Sequence, residues 1–264
     1  MANQQKTNYL PFIIIGMVLI AVVVIVIGLT GAFGVGEWMT QRAGGNGNVN
    51  KSTANTTRTP SIPSNAPAGA TPPNSSGSPT ASVTVEEFAD FQCPTCAATH
   101  PVINEIKSMY GSRIRFIFRD FPLQIPAHDK SYEAALAAEA AGMQGKFWDM
   151  QNMLFSNQQA WTANPGYKQI WMDYAQKIGL NVAKFQDDLV GLPVKQRVDE
   201  DMKRGRGLGV NSTPTIYING ISVPSESLLK VENIKQMIDG ELAKAPSPKP
   251  AANAPAANAA NTAK

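Results

Sequence analysis

The hydrophobic pattern divides the chain into parts of different kinds. Residues 10–29 form a 20-residue run that is almost wholly apolar and rich in β-branched side chains, and no charge occurs between Lys6 and Glu37. As a helix, about 20 apolar residues cross the ~30 Å hydrocarbon core of a bilayer. A cleaved signal peptide has a shorter apolar region of roughly 7–15 residues and a small-residue cut site. This run is longer and shows no clear Ala-x-Ala signal. The pattern therefore predicts one uncleaved transmembrane helix within 10–36, behind a short N-terminus, 1–9. The charges that flank the span are too evenly placed for the positive-inside bias to orient it.

The next pattern is the absence of one. Residues 37–80 are dominated by Gly, Asn, Ser, Thr, Ala and Pro, and residues 245–264 by Ala, Pro and Asn. Such stretches have too few large apolar residues to bury a core. They predict a disordered linker, with an r.m.s. span of roughly 35 Å, and a disordered tail. The globular part is then 81–244.

Within that part the apolar period changes several times. The segment "SVTVEEFADF", 82–91, reads as a strand. A helix follows from Cys96 to about Tyr110, with Pro101 inside it. The segment "RIRFIF", 113–118, alternates and reads as a second strand. A long helical block covers about 127–207. Phe147, Met150 and Leu154 recur at helical spacing, as do Ile170, Trp171, Tyr174 and Ile178. Asn181 is placed to cap a further helix. These Met and aromatic stripes are core faces rather than cofactor boxes. The strand pattern returns in "TPTIYINGISV", 213–223, where Asn219-Gly220 is a hairpin signal. A last amphipathic helix runs over about 231–242. The order is β-α-β, a helical block, then β-β-α.

Charge narrows the function classes. The net charge is +3, but acidic and basic residues nearly balance within 82–244. No nucleic-acid footprint is present there.

The candidate chemistry is in "EEFADFQCPTCAATHP", 86–101. It holds both cysteines of the chain, Cys93 and Cys96, around Pro94-Thr95. A structural staple, half of a metal site and a redox pair all use this spacing. A disulfide closing so short a loop removes little chain entropy. A zinc site needs about four ligands, and only His100 and His128 are available to join. His100 is expected exposed on the helix and His128 in a loop. A strand running into Cys-x-x-Cys at a helix start suits redox chemistry. The helix N-terminus favours an anion, and a thiolate there has a lowered pKa. Cys93 is then the exposed nucleophile and Cys96 the more buried resolving thiol.

With these residues in view, 82–242 resembles the thioredoxin superfamily, and within it the DsbA-like thiol-disulfide oxidoreductases. The resemblance rests on the Cys-Pro-Thr-Cys stretch with Pro101 behind it. It rests also on "FRDFPL", 118–123, followed by "AALAAEAAGMQGKFWDMQNMLF", 134–155, which is similar to the helical insertion of that branch. The third match is "GVNSTPTIYING", 209–220, which is similar to the superfamily's cis-proline loop. The resemblance implies an α/β thioredoxin fold with a helical insertion, here preceded by one transmembrane helix. It makes Pro214 the cis-proline and Thr213 the residue whose backbone pairs with an extended substrate. It makes Glu87 a buried proton acceptor for Cys96. Glu86 and Glu87 are neighbours on a strand, so one should point in and one out.

The resemblance also implies a place and partners. DsbA-like proteins work outside the cytoplasm, where disulfides persist. The N-terminus is then cytoplasmic, and the domain is extracytoplasmic (periplasmic), held to the cell membrane by one span. Cysteine-containing unfolded or secreted proteins are the implied substrates, a quinone-linked membrane protein the implied redox partner, and the chain a monomer. No cofactor beyond the cysteine pair and no metal are implied. The dipeptide departs from the best-known DsbA pattern, Pro-His: Thr95 can donate a hydrogen bond but brings no charge. The reading is a dithiol oxidase. Its alternatives are a disulfide isomerase or reductase of the same fold, or a metal-delivering or non-catalytic binding module.

Overall fold

The computed structural model describes residues 62–63 and 65–244. The expected span within 10–36, most of the expected linker and the tail at 245–264 lie outside the described residues. No helix among the described residues is long and apolar enough to cross a membrane.

Five strands form one sheet in the order β1-β3-β2-β4-β5. The central pair is β2 (Val83–Ala89) and β3 (Ile114–Asp120), parallel, with Val85 opposite Phe116 and Ala89 opposite Asp120. A parallel pair needs a crossover. Here it is α1 (Pro94–Tyr110), which starts directly after Cys93 and carries Pro94 in its first turn, where the missing N–H costs nothing. Strand β4 (Thr215–Ile218) runs antiparallel beside β2, with Glu87 opposite Ile216. It turns into β5 (Ile221–Ser222) through Asn219 at φ 48° and Gly220 at φ 79°, the left-handed pair that a tight hairpin requires.

The helical insertion lies between β3 and β4. It comprises α2 (Ser131–Gly142), α3 (Phe147–Ser156), α4 (Gln158–Thr162), α5 (Tyr167–Lys177), α6 (Val182–Leu189) and α7 (Leu192–Gly207). The Asn181 side chain accepts the backbone N–H of Lys184, capping α6 as its position predicts. Helix α2 is Ala-rich and buried nearly throughout, which lets α3, α6 and α7 all pack against it. The closing helix α8 (Val231–Lys244) packs on α1, β2 and β4. One core runs from Val85, Phe116 and Ile216 of the sheet, through Ile103 and Ile106 of α1, to Trp161 and Trp171 of the insertion.

Two expectations need correction. Residues 65–80 fall in the stretch expected to be linker, yet they are laid onto the domain. Strand β1 (Asn74–Gly77) pairs antiparallel with β3. Ahead of it, buried Arg119 and half-buried Arg197 and Arg204 capture backbone carbonyls. Arg119 donates to Ala70 (3.0 Å) and Ala68 (3.1 Å), Arg204 to Pro67 (2.6 Å) and Arg197 to Pro72 (2.9 Å). Asp201 accepts the N–H of Ala70 at 2.7 Å. Order gained through polar backbone groups leaves no hydrophobic pattern to read. The second correction concerns Glu86 and Glu87. Both are buried, at 4% and 3% exposure. They do point to opposite faces, but α7 and the captured segment cover the face that was expected to meet solvent. There Glu86 binds Arg119 and Arg204, each at 2.7 Å.

Candidate active site

The Asp90–Cys93 loop carries the chain from β2 into α1, and its geometry sets up the two sulfurs. Cys93 is the N-cap residue of α1, with extended backbone (φ −71°, ψ 120°). Cys96 lies in the first turn. Both are free thiols and both are buried. Exposure is 6% for Cys93 and 1% for Cys96, so Cys93 is the more accessible of the two but is not the exposed residue expected. Pro94 and Thr95 between them are exposed.

The Cys93 thiol donates to the backbone carbonyl of Thr213 at 3.3 Å. The Thr213-Pro214 bond is cis, as the resemblance implied. The loop before β4 is therefore brought directly against the first sulfur. The Thr213 hydroxyl is buried and makes no hydrogen bond of ordinary geometry.

The electrostatics separate the two cysteines. A hydrogen bond from the Cys96 thiol, helped by the Thr213 side chain and the backbone N–H groups of Cys96 and Thr95, lowers the Cys93 pKa to about 5 despite burial. These are the donors a helix start leaves free. Burial pushes the Cys96 thiol well up, and the Cys93 sulfur and the Glu87 carboxylate push it further. Burial also raises Glu87 to about 7, against the pull of the Lys107 ammonium. Lys107 itself lies over the Trp148 ring, 4.0 Å from its centroid. Cys93, Cys96, Glu87, Thr213 and Pro214 thus come together from β2, α1 and the β4 approach.

Several neighbours were not singled out from the sequence. Asp90 is wholly buried under the loop. It accepts from Ser131 (2.6 Å), from the N–H of Gln92 (2.7 Å) and of Leu123 (2.9 Å), and meets His128 Nδ1 at 2.6 Å. Gln158 of α4 donates to the carbonyls of Phe91 and Cys93. The Lys107 ammonium acts on the Glu87 carboxyl. None of these has a local motif: apart from the Asp90–Gln92 bond, their contacts reach far along the chain, as from Asp90 to Ser131 and from Gln158 to Phe91. His100, expected exposed, is buried. Its ring contacts Phe155 and bonds to Asn152 at 2.8 Å and Asn104 at 3.0 Å, away from any metal role.

Among the described residues, one group of carboxylates has metal-like spacing: Asp120, Glu139 and Asp201. Arginine already supplies its cations. Arg119 binds Asp201 at 2.8 Å, and Arg197 binds Glu139. Burial, with Glu139 and Asp201 beside it, pushes the Asp120 carboxyl well up. The cluster serves to fasten the 65–77 segment to α7.

Comparison with known proteins agrees with this geometry. Residues 71–240 match the family Thioredoxin_4, described as thioredoxin. Among solved structures, alpha-DsbA1 of Wolbachia pipientis superposes with a TM-score of 0.58 at 19% identity, covering 66% of this chain and 92% of that one. BdbD of Bacillus subtilis, in its oxidised form, gives 0.53 at 24% identity, covering 67% and 98%. Likeness at this identity speaks for the fold. Among curated proteins, a Na(+)/H(+) antiporter NhaA 1 of Mycolicibacterium gilvum is 34% identical over 146 residues, 54% of this chain and 23% of the antiporter. An NhaA of Herminiimonas arsenicoxydans is 31% identical over 140 residues, 53% and 21%. The chain thus spans under a quarter of the length of these curated relatives. The dithiol pair faces a cis-proline, and with the family match running from the captured segment through most of α8, this chain belongs to the thioredoxin family.

Proposed function

We propose that the protein is a membrane-tethered, extracytoplasmic dithiol oxidase that passes the Cys93/Cys96 disulfide to cysteine-containing secreted or envelope proteins. The observation that carries the direction is the unequal pair of thiols. A first cysteine whose thiolate is favoured, with a pKa of about 5, stabilises the reduced form. A stabilised reduced form makes the disulfide a strong oxidant. Thr95 brings no charge, and the place of a histidine is taken by the Cys96 thiol, the Thr213 side chain and the helix amides.

In this reading Cys93 attacks or is attacked, Cys96 resolves, and Glu87 takes the Cys96 proton. Thr213 and Pro214 receive an extended substrate strand, while Pro94 and Thr95 form the exposed rim. A span within 10–36 holds the domain at the cell membrane with residues 1–9 cytoplasmic. The linker then ends near residue 65 rather than 80. Occurrence of a similar stretch in chains named as antiporters supports a membrane-borne setting. A quinone-linked membrane protein is the partner that would restore the disulfide.

Equilibration with glutathione buffers tests the direction. The expected reduction potential lies nearer the DsbA value of about −120 mV than the thioredoxin value of about −270 mV. A value near −270 mV would make the protein a reductase and overturn the oxidase reading.

A further inference from the structure

The four residues that join β2 to α1 are held from two sides, and alternately. Asp90 and Gln92 are held by the start of the insertion. The Asp90 carboxylate takes Ser131 and His128, and the Gln92 side chain accepts the N–H of Lys130 (2.8 Å) and donates to Asp129 (3.0 Å). Phe91 and Cys93 are held by one residue from further along the insertion. Gln158, 9% exposed, places its amide nitrogen 2.8 Å from the Phe91 carbonyl and 2.9 Å from the Cys93 carbonyl. Both partners are pure acceptors, so the NH₂ end must face them, one N–H to each.

These two carbonyls need that donor to different degrees. The Cys93 carbonyl also accepts the N–H of Ala97, as the first helical bond, at 3.2 Å. Phe91 as a whole is 1% exposed, its ring packed against Phe155 and Phe118, so its carbonyl is in the interior. A buried carbonyl without a donor has given up water for nothing in return. The loop would have to turn to recover one. The Phe91 and Cys93 carbonyls mark the peptide planes that bracket Gln92 and Cys93. Turning them moves the Cys93 Cβ, and with it the sulfur, relative to the Thr95 and Cys96 amides and the Thr213 carbonyl.

We propose that Gln158 is a positioning residue for disulfide exchange: its side-chain amide fixes the peptide planes around Cys93 and so keeps the sulfur over the start of α1. The helical insertion therefore does more than cover the site. It sets the reactivity of the first cysteine through a side chain 65 residues away in the chain. The proposal rests on Cys93 being the attacking thiol.

The test uses the full chain in detergent, reduced, with Gln158→Met. Methionine keeps the length and removes both donors. Thiolate absorbance against pH reads the Cys93 midpoint, and urea unfolding reads stability. The expected result is a folded protein whose thiolate midpoint rises from about 5 by about one unit. A tenfold shift in the equilibrium with glutathione accompanies it, about 30 mV toward reducing values. Gln158→Asn, one methylene shorter, should reach one carbonyl and fall between. An unchanged midpoint in a folded variant, with or without lost stability, overturns the proposal. Failure of both variants to fold overturns it also, since Gln158 would then be a residue of the fold alone. A wild-type chain that exchanges no disulfides would sink the functional reading instead, while the comparison of midpoints would remain readable.

Discussion

Replacing Glu87 by glutamine should make this protein more stable, and only above a particular pH. Glu87 is 3% exposed, and burial raises its pKa from 4.5 to about 7. In the unfolded chain it ionises near 4.5. Between those values the folded state holds a proton that the unfolded state has lost. Stability attributable to Glu87 is therefore intact below pH 4.5 and falls as pH rises, until the folded carboxyl also ionises near 7. One pKa unit is worth 1.36 kcal/mol, so the shift of about 2.5 units costs the wild type about 3 kcal/mol by pH 8. Glutamine cannot ionise and escapes the whole of it.

The assay is urea unfolding of wild type and Glu87→Gln, both reduced, from pH 4 to about pH 8. Cys93 titrates in the same range with the opposite sign. Its folded pKa is depressed to about 5, so its contribution is present at high pH and fades as pH falls through that value. It is common to both proteins and cancels in the difference. The difference should be flat below pH 4.5, then grow in favour of the variant to about 3 kcal/mol. A difference that does not change with pH would refute the reasoning, because Glu87 would then not titrate out of step with the unfolded chain. If Glu87 has its proposed role as proton acceptor for Cys96, the same variant should also lose exchange rate near neutral pH.

Cys93→Ser should abolish dithiol oxidation of a reduced unfolded protein, while Cys96→Ser should accumulate mixed disulfides visible on non-reducing gels; full activity in Cys93→Ser would reverse the assigned order of attack. Gly69→Ala should destabilise the domain by roughly 2–4 kcal/mol, because Gly69 sits at φ 79° and an added Cβ would lie 2.6 Å from Arg119 Nη1 and 2.8 Å from Asp201 Oδ1. A loss in urea unfolding below about 0.5 kcal/mol, within the scatter of neutral surface changes, would show that the captured segment adds nothing to the fold.

What the sequence made legible were features whose cause is local. The Asn219-Gly220 turn, the Asn181 cap and the strand-to-helix step at Cys93 each depend on residues within one turn of each other. The apolar stripes of α3 and α5 were legible for the same reason. The captured segment at 65–77 was not, because the distant Arg119, Arg197 and Arg204 hold its backbone carbonyls and its side chains carry no signal. Glu86 shows the same limit. Strand alternation correctly sends it opposite to Glu87, but only the distant α7 decides that this second face is also closed. The candidate site divides likewise. The cysteines, Glu87 and the Thr213-Pro214 loop were reached through spacing and resemblance. Asp90, Lys107 and Gln158 owe their places to contacts across the fold.

The asymmetry of the two thiols has a consequence for the order of events. Part of what raises the Cys96 pKa is the Cys93 sulfur itself, through its hydrogen bond and its charge. While Cys93 is a thiolate, Cys96 is held as a thiol and donates to it, so the pair does not present two nucleophiles at once. When Cys93 enters a mixed disulfide its charge is gone and it no longer calls for that hydrogen bond. Two of the causes that kept Cys96 protonated then disappear together. Burial remains, and Glu87, with a pKa of about 7, is matched to take the proton near neutral pH. In the proposed cycle the second thiol thus becomes reactive only once the first has been used. That sequence follows from placing one cysteine at the N-cap and the other one turn inside a helix that faces a buried acid.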